Sequence, residues 1–208
     1  IGLITRDCAA SVNAILLENQ AFSLTAAHYH TLYDRFGEDR DMLDLLLSMP
    51  GLPPVIRIVQ ARKAAANLTV MLAGRGWLPA NSSDVMADAE ENATLGVLIN
   101  ADPEQLPGAI AYLIDNEFLT PALIVHAACL GAMDVVAECM AGLAGIPKRR
   151  AEQQMYNGGK LRGLFERCGL PESCYWTLKA ACDVTSEERR QGLFFTAEDF
   201  GRRLIEIL

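Results

Sequence analysis

Apolar residues recur with a period close to 3.6 along almost the whole chain, and no segment alternates convincingly between apolar and polar positions. This spacing predicts amphipathic α-helices and no β-sheet. Gly and Pro separate the predicted helices, which lie near residues 7–20, 24–36, 39–48, 53–73, 80–99, 104–117, 120–130, 132–144, 147–157, 160–168, 171–182 and 196–207. The predicted fold class is therefore all-α, an array or bundle of about ten to twelve short helices.

Many of these helices begin with a Leu or Ile followed by Pro or Thr. The pairs are Leu24-Thr25, Leu52-Pro53, Leu78-Pro79, Leu119-Thr120-Pro121, Ile146-Pro147 and Leu170-Pro171. Proline starts a helix well because its missing N–H would have no partner in the first turn. Most successive starts are about 24 to 28 residues apart, a period typical of helical repeats. The starts at Leu78 and Leu119 are farther apart, and Leu106-Pro107 does not fill this gap because it lies inside a predicted helix. A HEAT-like array and an irregular bundle are therefore both compatible with the sequence.

The composition is that of a folded globular chain, with 51% hydrophobic and 21% charged residues, and we predict a single domain over 1–208. The net charge of −8 argues against a nucleic-acid binder. Residues 1–147 hold 7 basic and 17 acidic residues, whereas residues 148–208 hold 11 and 9. This shift in charge suggests a sub-division near residues 145–147 as the alternative.

The longest uncharged run, Phe118 to Met133, has 16 residues, fewer than the roughly 20 that a helix needs to cross a bilayer. We predict no membrane span and a cytoplasmic location. The six cysteines show no C-x-x-C spacing and are expected to be reduced. We predict no metal and no cofactor. Because the chain lacks an initiating Met and its last helix runs to Leu208, we expect it to be a piece of a longer protein.

Basic and aromatic residues concentrate between residues 148 and 182. Arginine suits bidentate contacts with carboxylates and phosphates, and exposed aromatic residues often anchor interfaces. We predict a partner-binding face formed by Lys148, Arg149, Arg150, Lys160, Arg162, Phe165, Arg167 and Trp176. The alternative is a solvated face that balances the acidic part of the same molecule.

The chain carries no familiar catalytic motif, neither H-E-x-x-H nor G-x-S-x-G, and we predict no catalytic residue and no enzyme activity. His126 and Cys129 have the spacing of a Cys–His dyad, but a lone His on an apolar helix is more often a packed core residue. The segment from Asn157 to Lys160 lacks the preceding strand and the glycine spacing of a phosphate loop. We interpret Asn157-Gly158 as the end of a helix.

Several segments together resemble a bacterial family, the all-helical domain-of-unknown-function family 2336 found mainly in alphaproteobacteria. The segments are Leu52 to Pro54, Ala89 to Leu95, Leu119 to Leu123, Gly131 to Pro147, Gly158 to Phe165 and Cys168 to Pro171. The resemblance implies a helical fold in a bacterial cytoplasm and no known reaction.

The leading functional hypothesis is a non-enzymatic protein-interaction or regulatory module. It rests on the missing catalytic motifs, the broad faces that helical arrays offer, and the separated acidic and basic parts of the chain. The partner would be a protein with an acidic surface. The alternative is a sensor that binds a small anionic ligand between helices.

Overall fold

The structure, a computed structural model, describes residues 1–19, 21–78, 83–192 and 195–208. Over these residues the chain forms thirteen α-helices and one 3₁₀-helix, with no strand, which confirms the all-α prediction. The α-helices are α1 Gly2–Asp7, α2 Ala10–Glu18, α3 Ala26–Phe36, α4 Arg40–Ser48, α5 Pro54–Gly74, α6 Ser83–Ile99, α7 Leu106–Asp115, α8 Pro121–Cys129, α9 Met133–Ala144, α10 Lys148–Met155, α11 Gly158–Arg167, α12 Tyr175–Gln191 and α13 Ala197–Ile207.

The chain forms two compact units, Ile1–Glu90 and Glu91–Leu208, and the division falls within α6. In the first unit, apolar side chains from α2, α3, α4 and the start of α5 form one core. Its buried members are Leu17, Tyr29, Leu32, Met42, Leu46, Leu52 and Ile56. Removing such side chains from water is the main favourable term in folding.

The helix predicted over residues 7–20 corresponds to α2, which begins later, at Ala10. The preceding helix α1 was not predicted, and extended backbone at Cys8 and Ala9 separates the two helices. Carbonyl groups at such a break need new partners. Arg35 on α3 supplies them, since its Nη1 donates to the Thr5 carbonyl at 2.6 Å and its Nη2 to the Cys8 carbonyl at 2.9 Å. Asn13 of α2 also donates to the Cys8 carbonyl, at 3.2 Å, so the break is supported both locally and by a residue of another helix.

Helix starts agree with most of the predicted Leu-Pro and Leu-Thr positions, although Leu170-Pro171 leads into a 3₁₀ turn and not directly into an α-helix. Thr120 caps α8 by accepting a hydrogen bond from the Leu123 N–H at 3.1 Å, and Pro121 is the first helical residue. Helix α7 begins at Leu106, so Leu106-Pro107 is also a helix start, not the interior of a helix.

The start predicted at Leu78-Pro79 and the first residues of the helix predicted over 80–99 lie outside the described residues. The helical-repeat arrangement stays a prediction.

In the second unit, α9 is central and packs against α7, α8, α10, α11 and α12. Seven of its twelve residues are buried: Met133, Val135, Val136, Ala137, Cys139, Met140 and Ala141. Gly145 ends α9 in the left-handed conformation, at φ 62°. The sub-division predicted near residues 145–147 lies within this unit, and like the single-domain prediction it stays a prediction.

The last predicted helix before α13 differs most from the structure. Residues 172–174 form a 3₁₀ turn, and α12 then continues nine residues past the predicted end at 182, to Gln191. Val184 and Thr185 are buried and extend its apolar face through a strongly charged segment. Over the described parts of the chain, no helix combines the length and apolar character needed to cross a membrane.

Candidate anion-binding cleft

Helix α10 directs its basic residues away from the core. Ala151 and Met155, one turn apart, are buried and fix the inner face of the helix. Because a helix turns 100° per residue, Arg150 and Gln153 lie on other faces, and both are exposed.

Helix α11 begins at a polar cap. The Oδ1 atom of Asn157 accepts a hydrogen bond from the Gly159 N–H at 3.3 Å, so Asn157 is the N-cap of α11. This corrects the interpretation of Asn157-Gly158 as the end of the preceding helix, which already ends at Met155. The physical reason is that asparagine is common at both kinds of helix boundary. Here its short polar side chain accepts a hydrogen bond from an N–H of the first turn, which makes it the start of α11.

The two faces of α11 have different chemistry. Leu161, Leu164 and Phe165 are buried and pack inward. Lys160 and Arg167, seven positions apart, lie on one outer face and are exposed. The hydrophobic spacing of α11 therefore determines that these two cations point away from the core.

A cleft of about 460 Å³ lies along α10 and α11, and we call it the α10–α11 cleft. It is lined by Arg150, Gln153, Gln154, Gly159, Lys160, Gly163 and Arg167. Among the described residues, the lining thus carries three cations and two amides, without a carboxylate or an apolar side chain. Three of the predicted partner-binding residues, Arg150, Lys160 and Arg167, are brought together here.

The three cations of the cleft have no ion pair with any described residue, since every salt bridge of this region involves other cations. Like charges that share a concave surface raise its potential and attract anions. Arginine adds paired N–H donors that fit carboxylate or phosphate oxygens. These residues therefore form a candidate site for an anion.

Lys148, another predicted binding residue, lies outside the cleft lining. Its Nζ lies 3.4 Å from Asp134 Oδ1 and 4.0 Å from Glu152 Oε1. Asp134 belongs to α9, so Lys148 links the start of α10 to the central helix of the unit. Its charge is compensated within the protein.

Arg162 is also compensated. Its Nη1 donates to Glu172 Oε1 at 2.7 Å and its Nε to Glu166 Oε1 at 3.0 Å. The hydrogen bond to Glu172, and after it the one to Glu166, raises the pKa of the Arg162 guanidinium. The guanidinium also lies 4.6 Å from the ring centroid of Tyr175. Arg162 therefore ties α11 to the 3₁₀ turn and to α12.

A family described as an uncharacterised protein conserved in bacteria (DUF2336) matches residues 3–206. The chain belongs to this family. The match confirms the resemblance that the Leu-Pro and Gly segments indicate. No curated protein and no solved structure matches this DUF2336 chain.

The aromatic residues of the predicted face divide into buried and exposed ones. Phe165 is 1% exposed and packs edge-on against Tyr175, with ring centroids 5.2 Å apart. Trp176 is 64% exposed and also packs edge-on against Tyr175, with ring centroids 5.3 Å apart. Phe165 is thus part of the core, and we leave it out of the proposed surface, whereas Trp176 stays available to a partner.

Arg149 is exposed but does not line the α10–α11 cleft. Sequence reasoning missed four of the lining residues in this DUF2336 chain, namely Gln153, Gln154, Gly159 and Gly163. Helical spacing is the signal that would have found them. Gln153 and Gln154 follow Arg150 by three and four positions, and Gly163 precedes Arg167 by four.

The possible Cys–His pair shows little sign of activation. His126 is exposed, so the expectation of a packed core histidine is wrong. Burial raises the pKa of the Cys129 thiol, whereas a nucleophilic cysteine needs a lowered one. Within the described residues, no group of three or more His, Cys, Asp and Glu side chains is arranged to hold a metal ion.

Proposed function

We propose that this DUF2336 protein is a non-enzymatic interaction module that holds an acidic segment of a partner protein in the α10–α11 cleft. One observation carries the proposal: Arg150, Lys160 and Arg167 line the same cleft, and no carboxylate in the described part of the chain lines it with them. Lys148 and Arg162 pair with carboxylates of their own chain, whereas these three cations have no ion pair among the described residues and can attract an external anion. We place this activity in the bacterial cytoplasm.

The composition of the cleft favours a protein partner over a small molecule. Small-ligand pockets are lined mostly by apolar and aromatic side chains with a few polar groups. The described lining of the α10–α11 cleft includes no apolar side chain, and its cations are exposed. Such a surface suits the charged group of a larger molecule, whose remaining contacts lie outside the cleft.

Trp176 offers one such outside contact in the same unit. Its indole is exposed and packs edge-on against Tyr175, which in turn packs edge-on against the buried Phe165. A rigid, exposed tryptophan loses little conformational freedom on binding and is a frequent interface hot spot. We propose that the cleft gives the partner its charge selectivity and that Trp176 adds apolar contact area.

The test compares two charge reversals of the full-length chain. Arg150→Glu combined with Arg167→Glu changes two cations of the cleft, while Arg149→Glu changes the adjacent exposed arginine that does not line it. Each protein is used to capture partners from the native bacterium, and the captured proteins are quantified by mass spectrometry. The recovered partner is then purified and its direct binding to each protein is measured at several salt concentrations.

We expect the cleft variant to lose a partner that both the unchanged protein and Arg149→Glu retain. Direct binding of that partner should weaken as salt increases, because exposed charges are screened. Circular dichroism checks that all variants keep the helical fold. Equal retention of the partner by the cleft variant would overturn the proposal.

A small-anion sensor is the second candidate, favoured by the volume of about 460 Å³, which is in the range of metabolite sites. A thermal-shift screen with anionic metabolites separates it from the first. A ligand at 100 times its Kd should stabilise the protein by about 2.7 kcal/mol. A shift that disappears in the cleft variant would favour the sensor function over the protein partner.

A further inference from the structure

We propose that the group held in the α10–α11 cleft is a phosphoryl group on a side chain of the partner protein. This inference rests on the proposed function, because it specifies the anion that the partner presents. It concerns the same seven lining residues and identifies the chemistry that matches them.

The charge of the cleft exceeds what one carboxylate would compensate. Arg150, Lys160 and Arg167 together carry three positive charges. A phosphorylated side chain carries about −1.5 to −2 at pH 7 and has three strong acceptor oxygens. A carboxylate carries a single charge on two oxygens. The phosphoryl group therefore matches the cations more closely in both charge and number of acceptors.

The lining carries enough hydrogen-bond donors for the three oxygens of a phosphoryl group. Two guanidinium groups, from Arg150 and Arg167, each offer paired N–H donors, and Lys160 adds a compact ammonium group. The side-chain amides of Gln153 and Gln154 add neutral donors on the α10 side. These donors outnumber the oxygens of one phosphoryl group, and no carboxylate of the described lining competes for them.

The α11 side of the cleft is bare backbone at two positions four residues apart. A Cβ atom added at Gly163 would meet nothing within 4 Å, and one added at Gly159 would meet only Asn157 Oδ1 at 3.6 Å. Packing inside the protein therefore does not require glycine at either position. A glycine within a helix costs about 1 kcal/mol relative to alanine. Here the two glycines leave space for a ligand to approach the helix near Lys160.

Gly163 allows a variant that blocks the site without removing any cation. A glutamate at this position would lie three residues after Lys160 and four before Arg167, which is the spacing of helical ion pairs. Gly163→Glu should therefore compensate both cations from within the chain. Gly163→Ala adds one methyl group without charge and is the matched control.

The experiment titrates the full chain with four probes at constant ionic strength and follows the backbone amides of Gly159 and Gly163 by NMR. The probes are inorganic phosphate and three acetylated tripeptides, Gly-phosphoserine-Gly, Gly-Glu-Gly and Gly-Ser-Gly. We expect the phosphoserine peptide to shift both amides and to bind about ten-fold or more tightly than the glutamate peptide, since it brings more charge and a further acceptor oxygen. The serine peptide should not bind.

The pH dependence gives an independent readout. The second pKa of a phosphoryl group is about 6, so affinity for the phosphoserine peptide should rise between about pH 5 and 7.5. A glutamate side chain, with an ordinary pKa of about 4.3, is nearly fully charged throughout that range. Gly163→Glu and the double variant Arg150→Glu with Arg167→Glu should abolish binding, while Gly163→Ala and Arg149→Glu should retain it.

The outcomes separate this inference from the proposed function. Equal affinity for the glutamate and phosphoserine peptides would overturn the phosphoryl assignment and leave the acidic-segment proposal intact. If inorganic phosphate binds as tightly as the phosphoserine peptide, the cleft is a site for free anions. This result would overturn the claim that the phosphoryl group belongs to a partner protein. If no probe shifts the two glycine amides while partner capture still depends on Arg150 and Arg167, the inference fails alone. If the double variant Arg150→Glu with Arg167→Glu captures the partner as well as the unchanged protein does, the proposed function itself is overturned.

Discussion

Gly131, in the turn between α8 and α9, lies directly against the ring of Phe200 on α13. A Cβ atom at Gly131 would be 3.1 Å from Phe200 Cγ and 3.2 Å from Cδ2, closer than side-chain carbons normally pack. Gly131 also has a φ of 72°, in the left-handed region where residues other than glycine are strained. Phe200 is buried, so this turn and α13 fit together at one well-packed point.

We predict that Gly131→Ala destabilises the second unit by about 2 to 4 kcal/mol, because backbone strain and overpacking against Phe200 add. Gly145→Ala is the matched control, since Gly145 has a φ of 62° but a Cβ there would meet nothing within 4 Å. It should cost only about 1 kcal/mol of backbone strain. Urea unfolding measures both, and equal losses would contradict a packing role for Phe200.

Glu117 has a φ of 59°, and it alone among the described non-glycine residues has a positive value. It follows α7 at a position where the chain turns back, with the Phe118 N–H bonded to the Leu113 carbonyl at 2.7 Å. Glycine is the residue that adopts this conformation without strain. We predict that Glu117→Gly stabilises the protein by about 0.5 to 1 kcal/mol in urea unfolding. Glu117→Ala keeps the strain and should give no such gain.

Arg162 should act on stability and not on binding. Its bonds to Glu172 and Glu166 hold α11 against the following turn, and it is absent from the cleft lining. We predict that Arg162→Gln slightly lowers the melting temperature and leaves partner affinity unchanged. High salt should reduce the difference in stability, because the pairs are partly exposed. Loss of the partner at unchanged stability would instead place Arg162 in the binding surface.

The three most deeply buried cysteines should resist alkylation in the native state. Burial raises the pKa of Cys139, raises that of Cys168 to about 11 and raises that of Cys182 to about 12. Because the thiolate is the reactive form, a raised pKa slows the reaction, and burial blocks access as well. Mass spectrometry after iodoacetamide treatment at pH 8 should show these three unmodified until urea is added. Modification of Cys182 in the native protein would contradict its burial.

From the raised pKa values of these buried thiols we predict that the protein loses stability at alkaline pH. An unfolded cysteine has a pKa of about 8.5, whereas Cys182 in the fold has one of about 12. Above about pH 8.5 the unfolded state therefore binds fewer protons than the native state, and the free energy of unfolding falls as pH rises toward 12. Cys182→Ala should make this decline shallower between pH 8 and 10.5. An unchanged slope would assign the decline to other groups.

Local sequence signals were sufficient to predict most of the helices. The start of α8 depends on Thr120 and Pro121, and the end of α9 on Gly145, all within one turn of the boundary that they define. Such signals allow a correct prediction because the capping residue and the helix boundary that it sets are neighbours in the sequence. The end of α12 could not be predicted in this way. Its charged segment continues as helix because Val184 and Thr185 are buried by other helices.

The candidate site shows the same limit more sharply. The sequence by itself determined that the chain is all-helical and that its cations concentrate after residue 147. Only the tertiary structure decided which of them are free. Lys148 meets Asp134 from another helix, and Arg162 meets Glu172 across a turn. Charge compensation depends on the distance between two groups in space and not on their positions along the chain. The composition therefore treats all these cations alike, and only the folded structure shows which of them pair with a carboxylate.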